Sequence, residues 1–439
     1  MHIYNLIGIG IGPYNLSLAV MLQKAHGLTG LFFDKTPEFS WHPGMLIEGS
    51  EMQVPFLDDL VTLADPTSPY TYLNYLHEHD RLTQFSYFHR LEIPRKEYNH
   101  YCQWAASRLD NCRFGMEVAD VRDREENGEH FFEVTVFNIE KGVEETYFAY
   151  NLILGTGNEP LVPDNMKDFL GEDCIHSSRY LQHKDKLVEG GSISVIGSGQ
   201  SAAEIFYDLL QCQKTHDFQL NWLARSAGFL QLESTKLGQE FFSPEYVNYF
   251  HSLPYEERIQ SLDTLNGLRN GIEPGLLDLI YKELYHQTIG GESSKARIQP
   301  HAELQGMERT SSGFELQLQQ KQAETPFKLD SDKVVLATGY RPHLPEWLLS
   351  RYADEIIWEG EREFKVSLSY EILFKKKRQN RIFTLTNIEH SHGAAATHLG
   401  LSVDRNRRII NTLAEKEIYK SNKKNVFHRF VPREEEVVL

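Results

Sequence analysis

Cysteine is scarce in this sequence: Cys102, Cys112, Cys174 and Cys212 form no C-x-x-C pair and no metal-ligand spacing. That excludes a disulfide-stapled scaffold, a zinc ribbon and a dithiol reductase, and it suits a reduced cytoplasmic enzyme with no metal site. Basic residues are also in deficit, 45 against 62 acidic, giving a formal charge of −17. A dedicated nucleic-acid partner is disfavoured by that balance. Long apolar runs are missing: none approaches the roughly 20 residues that cross a bilayer, so no membrane partner is expected. The apolar N-terminus has no basic n-region and is interrupted by Gly8, Gly10, Gly12 and Pro13, unlike a secretion signal. Low-complexity tracts are absent as well. The lysine clusters at 375–377 and 420–424 read as solvated surface. The remainder, 439 residues with 41% hydrophobic and 24% charged, is enough for two or three domains with real cores.

What the sequence does contain is one internal echo. Two glycine-rich turns, Gly10-Ile11-Gly12-Pro13-Tyr14-Asn15 and Gly197-Ser198-Gly199-Gln200-Ser201-Ala202, stand roughly 190 residues apart, each after a short apolar run. The first unit reads as a strand over 4–9, a helix over 16–25 and a strand over 31–33 that ends at Asp34. The second reads as a strand from 192, a helix over 202–210 and a strand over 219–223 that ends at Arg225-Ser226. Such a turn presents backbone N–H groups to a pyrophosphate at a helix N-terminus. An acid about 20 residues beyond accepts ribose hydroxyls and repels a 2′-phosphate, whereas an arginine neutralises that phosphate. Asp34 therefore suits FAD at the first turn, and Arg225 with Ser226 suits NADPH at the second. The bland alternatives are a strand-end acid and a surface arginine that both face water. Asn15 stands where a third glycine is usual, which predicts a wider helix–strand approach or a side-chain hydrogen bond.

Alternating segments over 131–137 and 145–150 predict an antiparallel excursion. Strand–Thr–Gly elements at 151–157 and 333–340 look like the crossovers between two nucleotide domains. Apolar residues at helical spacing over 275–285 predict a helical insertion. The fold expected is α/β, with two Rossmann-like dinucleotide-binding domains and a smaller helical substrate-binding region. The expected boundaries are an FAD-binding domain at 1–165 and 333–425, an NADPH-binding domain at 166–227 and 290–332, and a helical insertion at 228–289. The tail at 426–439, like the whole charged segment after Asn422, is expected to fray.

Beyond these units the chain resembles the flavin-dependent N-hydroxylating monooxygenases, which hydroxylate the terminal amine of lysine, ornithine or a diamine for siderophore synthesis. The resemblance rests on residues 10–16, Trp41-His42-Pro43-Gly44-Met45, Met52-Gln53-Val54-Pro55-Phe56-Leu57, Asp59-Leu60-Val61-Thr62 and Asp65-Pro66-Thr67-Ser68-Pro69. To these are added Phe242-Ser243-Pro244-Glu245-Tyr246, the Asp332 to Tyr340 element and Ser391-His392-Gly393. In that family Asn15 is the usual residue at its position. The resemblance implies that NADPH reduces FAD, that the reduced flavin takes up O2 as a C4a-hydroperoxide, and that a neutral amine attacks the distal oxygen. It also implies a dimer or tetramer of the chain.

The resemblance further implies roles for individual residues. Gly10, Gly12, Pro13 and Asn15 form the FAD turn, with Asp34 and Lys35 toward the adenosine and Val118 a further cofactor contact. Trp41, His42, Met45 and Gln53 line the flavin and the substrate mouth, and Arg95 lies near flavin and nicotinamide, with Gln53, Arg95 and Asn270 as the catalytic set. Gly197, Gly199, Gln200 and Ser201 border the NADPH pyrophosphate, with Arg225 and Ser226 at its 2′-phosphate. Thr338, Tyr340 and His392 complete the cofactor contacts. Trp41 could equally pack, His42 cap a helix and Gln53 serve the backbone. Asp58, Gln239, Asn270 and Leu399 are the substrate candidates. Ornithine hydroxylases carry a lysine where Asp58 stands here and an Asn-Glu pair where Gln239-Glu240 stands. Asp58 would repel a substrate carboxylate and attract an ammonium group, unless it is a solvated loop acid. A diamine such as putrescine or cadaverine is therefore expected, with L-lysine as the alternative. A silent flavin-binding sensor is the alternative of another class.

Overall fold

The computed structural model describes residues 1–421 and 425–431. Both predicted βαβ units are present. In the first, the strand Ile3–Ile9 pairs in parallel with Gly30–Phe33 on one side and with Val143–Leu154 on the other. This sheet has seven strands. Cys112–Arg113 pairs beyond Gly30–Phe33, and Arg381–Thr384 adds a further parallel strand beside Val143–Leu154. The predicted antiparallel excursion is Met116–Glu126 with Glu129–Asn138, whose second strand pairs with Val143–Leu154. The segments read separately as 145–150 and 151–154 are thus one strand, antiparallel to its neighbour on one side and parallel to Ile3–Ile9 on the other.

The second sheet is wholly parallel and five-stranded, in the order Cys174–His176, Lys333–Leu336, Ser192–Ile196, Gln219–Leu223, Ala296–Gln299. Strands buried on both faces need near-continuous apolar runs, and Ile193, Val195 and Ile196 supply one, with the small Ser194 buried between them. One boundary is corrected here: residues 333–336 belong to this second sheet, not to the returning first domain. The chain crosses between the sheets just after Leu154 and just after Leu336. There Asn158–Pro160 and Tyr340–Pro342 run antiparallel to each other as a two-stranded ribbon. A separate three-stranded antiparallel sheet covers Ala302–Arg309, Phe314–Gln320 and Thr325–Ser331.

The helical insertion consists of Lys236–Gln239, Pro244–Ser252, Tyr255–Thr264, Asn266–Arg269 and Pro274–Gln287. The last of these lies along the helix Gln200–Cys212, where Gln211 Nε2 donates to Glu283 at 3.1 Å. The expectation of a frayed tail is corrected for residues 425–431. Glu240 accepts the N–H groups of Phe427 (3.0 Å) and His428 (2.8 Å), and Phe430 packs among Phe241, Tyr246 and Tyr249. Glu240 is thereby committed to the chain's own tail. The rest of the expected tail lies outside the described residues.

Candidate active site

The two glycine turns are built alike. Gly10 has φ of +86°, and a Cβ there would lie 2.4 Å from Gly155 O. Gly197 has φ of +143°, and its Cβ would lie 2.2 Å from Ala337 O. In each unit the glycine thus lets the crossover segment press against the turn, which a side chain would prevent. The helices that follow, Pro13–Leu22 and Gln200–Cys212, start at Gly12 and Gly199 with no side-chain cap and no acid in the first turn. Beside both glycines a Cβ would meet nothing within 4 Å. Uncapped N–H donors facing open space fit a pyrophosphate at each turn.

Asn15 resolves the anomaly of the missing third glycine. It is fully buried; its Nδ2 donates to Gly10 O at 2.7 Å, and the side chain packs on Gly155, where a Cβ would come within 2.4 Å. Of the two expectations, the side-chain hydrogen bond is the one realised. Asp34 braces the same turn, accepting from Ile11 N at 2.7 Å and from Thr36 N at 2.8 Å. Lys35 beside it is exposed. Val118 sits at a bulge two residues beyond Met116, whose N–H donates to Asp34 O at 2.8 Å, so it stands at the Asp34 end of the sheet and away from the cavity wall. In the second unit Arg225 is exposed at the end of its strand, and Ser226 Oγ donates to Gly228 O at 3.0 Å.

One cavity of about 1100 Å³ runs from the first turn into the helical insertion. It brings together Gly12, Pro13, Trp41, His42, Gln53, Asp58, Arg95, Gln239, Tyr340 and Leu399, all expected at the site. Three expectations are corrected. Met45 is buried in the core of the second domain, and only its carbonyl takes part, accepting from Arg95 Nη1 at 3.1 Å. His392 is fully buried and stacked on Tyr370 at 4.1 Å, while its neighbours Glu389 and His390 form the wall. Asn270 is exposed outside the cavity and donates to Asn266 Oδ1 at 2.6 Å; Asn266, one helical turn earlier, is the lining residue. Thr338 lies in the crossover, donating to Leu161 O at 2.5 Å. Gly197, Gly199, Gln200 and Ser201 lie beyond the cavity wall, but Gln200 Oε1 accepts from Gln53 Nε2 at 3.2 Å and so links the second turn to it.

Asp58 is a buried wall residue, 8% exposed, which removes the solvated-loop alternative. Its neighbour Asp59 pins the loop by accepting from the N–H groups of Val61, Thr62 and Tyr72 at 2.8, 2.6 and 2.7 Å. Gly400 makes room for the carboxylate, since a Cβ there would come within 2.2 Å of Asp58 Oδ1. Gly400 is the second residue of the helix Leu399–Ala414, so the carboxylate faces the favourable end of a helix dipole. Burial, helped by Asp59, still pushes the carboxyl up to about 7. His398 Nε2 stands 3.6 Å from Asp58 Oδ2, and burial holds that imidazole down at about 4.

The charge pattern of the wall is asymmetric. Asp58, Glu233, Asp263, Glu363 and Glu389 supply carboxylates, and among the described residues the lining arginines are Arg95 and Arg269. Both arginines are already paired. Arg95 makes a two-pronged bond to Glu204 at 2.8 and 2.7 Å, and Arg269 Nη1 meets Glu389 at 2.6 Å. Burial, with Arg95 as the lesser cause, lowers His42 to about 4, and burial also lowers His390. The lining imidazoles therefore add no positive charge. His398, Arg269 and Asn266 were not singled out from the sequence. His398 adjoins Leu399, and Asn266 stands one helical turn from Asn270.

The lysine/ornithine oxygenase family, L-lysine 6-monooxygenase/L-ornithine 5-monooxygenase, matches residues 2–342. The chain is 39% identical over 432 residues to a putrescine N-hydroxylase of Shewanella oneidensis, covering 98% of this chain and 84% of that protein. Its fold superimposes with a TM-score of 0.93 on the FAD-bound cadaverine monooxygenase of desferrioxamine biosynthesis from Erwinia amylovora, at 37% identity and with both chains fully covered. The Kutzneria ornithine N-hydroxylase, solved with reduced FAD, NADP+ and L-ornithine, gives a TM-score of 0.88 at 27% identity over 94% of this chain and 99% of that one. Two nucleotide turns, a shared cavity and these likenesses lead to one conclusion: the chain belongs to the L-lysine 6-monooxygenase/L-ornithine 5-monooxygenase family of flavin-dependent N-hydroxylating monooxygenases.

Proposed function

We propose that this enzyme hydroxylates one terminal amine of a small aliphatic diamine, putrescine or cadaverine, using FAD, NADPH and O2, as a cytoplasmic step toward a hydroxamate siderophore. The observation that carries the choice of amine is the pairing of both cavity arginines. An amino-acid substrate brings an α-carboxylate that needs a cation, and Arg95 and Arg269 already hold Glu204 and Glu389. A diamine brings a second ammonium instead, which the surplus carboxylates and Asp58 suit. The functions of the Shewanella and Erwinia relatives point the same way.

FAD would rest on Gly10, Gly12 and Asn15, and NADPH on Gly197, Gly199, Ser201 and Arg225; reduced by NADPH, the flavin supplies activated oxygen. The chain's own residues bind and orient. Asp58 receives the distal ammonium, so the other end of the diamine is directed along the cavity toward the first turn. Apolar walls at Phe242, Leu268, Leu385 and Leu399 accommodate the methylene chain and displace water around it. The reacting nitrogen must enter neutral, against a free-amine pKa of about 10.4, and the uncharged imidazoles of the wall present no positive charge against the remaining ammonium.

The test is hydroxylamine formation from NADPH and O2 with putrescine, cadaverine, L-lysine and L-ornithine side by side. The diamines are expected to give the highest kcat/KM. A preference for either amino acid would overturn the proposal, and FAD binding with no product from any amine would favour the silent sensor.

A further inference from the structure

Arg95 occupies an awkward place. It is the first residue of the helix Arg95–Ser107, where a cation opposes the helix dipole, so local preference does not hold it there. What holds it is Glu204, a residue from the other nucleotide unit, with the two side chains only 12% and 4% exposed. Glu204 lies four residues beyond Gln200, the first residue of the helix Gln200–Cys212, and so about 7.5 Å below the uncapped N-terminus at Gly199. Its Oε1 is shared between Arg95 Nη2 at 2.7 Å and Gln200 Nε2 at 2.8 Å, and its Oε2 accepts from Arg95 Nη1 at 2.8 Å. Gln200 is fixed in turn, its Oε1 accepting from Gln53 Nε2 and from Glu273 N at 2.9 Å.

We infer that Glu204 is a positioning residue that clasps Arg95 of the flavin side to the nicotinamide-side turn, with Arg95 reciprocally neutralising a carboxylate that would otherwise repel the NADPH pyrophosphate. A buried carboxylate under an anion site is tolerable only while it is paired. The pair is neutral as a unit, so the anion sees the N–H donors of the turn and not the acid beneath them. Losing Arg95 exposes NADPH to that acid. Losing Glu204 leaves the turn attractive but releases Arg95 from all its side-chain partners except Met45 O. The two losses therefore act in opposite directions on nucleotide binding. This inference rests on NADPH occupying the Gly197 turn.

The experiment is a double-mutant cycle on the FAD-loaded enzyme, with NADP+ affinity read by calorimetry without turnover and flavin reduction by NADPH read by stopped flow. Arg95→Gln is expected to weaken NADP+ binding by about tenfold, and Glu204→Gln in the Arg95→Gln background to restore most of it. Glu204→Gln alone is expected to leave NADP+ affinity equal or tighter while slowing flavin reduction by about tenfold. Opposite movements of affinity and rate are not the signature of general damage. If either arginine-deficient protein fails to fold, Glu204→Gln alone still decides, through that split. Overturning results are a double variant that binds NADP+ as weakly as Arg95→Gln alone, or Glu204→Gln lowering affinity and rate together. Arg225→Ala serves as the separate control. If it leaves discrimination of NADP+ over NAD+ intact, the assignment of the second turn has failed; if it abolishes discrimination while the double variant stays as weak as Arg95→Gln alone, only the clasp has failed.

Discussion

Replacing Asp58 by Asn removes the charge while keeping the shape, and its consequences can be worked from the site. The carboxyl is raised by burial to about 7, so at pH 7 it is half ionised and completing the ionisation costs only about 0.4 kcal/mol. At pH 6 the cost is about 1.4 kcal/mol, a factor of ten. Productive encounter with a diamine then needs two deprotonations below pH 7, one at Asp58 and one at the reacting amine, but only the amine's above it. Because kcat/KM reports free enzyme and free substrate, its logarithm should rise with a slope of about 2 below pH 7 and about 1 above, whereas Asp58→Asn should give about 1 throughout. At pH 8 the variant should lose about 1.5–3 kcal/mol of binding from the charge-assisted contact, roughly tenfold to a hundredfold in kcat/KM. Stability should move the other way. A carboxyl raised from its ordinary 3.8 to about 7 keeps a proton that the unfolded chain releases, so its contribution to stability falls as pH climbs through that window. Above pH 7 the buried charge costs the fold up to about 4 kcal/mol, and Asp58→Asn should raise the Tm at pH 8. Steady-state profiles from pH 6 to 9 with putrescine, beside thermal melts at pH 5 and 8, settle the matter. Identical slopes in the two proteins, or a variant that melts lower at pH 8, would refute the reasoning.

Two substitutions of glycine test the neighbouring geometry. Gly155→Ala places a Cβ 2.4 Å from the locked amide of Asn15, so FAD titration of the apoprotein should show an affinity loss of at least about tenfold, with NADP+ binding kept; unchanged FAD affinity would mean that Asn15 is free to move. Gly400→Ala drives a methyl group against Asp58 Oδ1 and should raise the KM for a diamine by about tenfold without loss of FAD. An unaltered KM, measured on FAD-replete protein, would show that the carboxylate does not need its present position.

The parts of this molecule that repeat a local rule were legible in the sequence. Each βαβ unit carries its own strand, glycines and helix within about 30 residues, and the elements at 3–33 and 192–223 fell within a few residues of expectation. The crossover was misplaced at 333 because Lys333–Leu336 continues smoothly into Ala337-Thr338-Gly339, and only pairing with Cys174–His176 and Ser192–Ile196 shows to which sheet it belongs. Asn270 rested on the family resemblance alone, and spacing cannot say that Asn266, one helical turn earlier, is the residue that reaches the cavity. His392 lay in a motif that marks the wall, yet its ring turned to Tyr370 while Glu389 and His390 beside it formed the lining.

The charge logic of the site was illegible for a deeper reason. Arg95 and Glu204 are 109 residues apart, and Arg269 and Glu389 are 120 apart. From sequence, Arg95 reads as an available cation, and nothing local marks Glu204 as more than a polar residue of an amphipathic helix. Asp58 has the same ambiguity, because a solvated loop acid and a buried cavity-wall carboxylate look identical until Gly400 and His398 are seen around it. On the proposed reading, the choice of amine by this chain depends less on which charged residues it contains than on which of them remain unpaired. A cation bonded to a carboxylate cannot also receive a substrate carboxylate at full strength, since the incoming group would have to displace a partner already desolvated beside it. Restoring a lysine at position 58 would accordingly be insufficient to create an ornithine site unless the surplus acids of the wall were also neutralised.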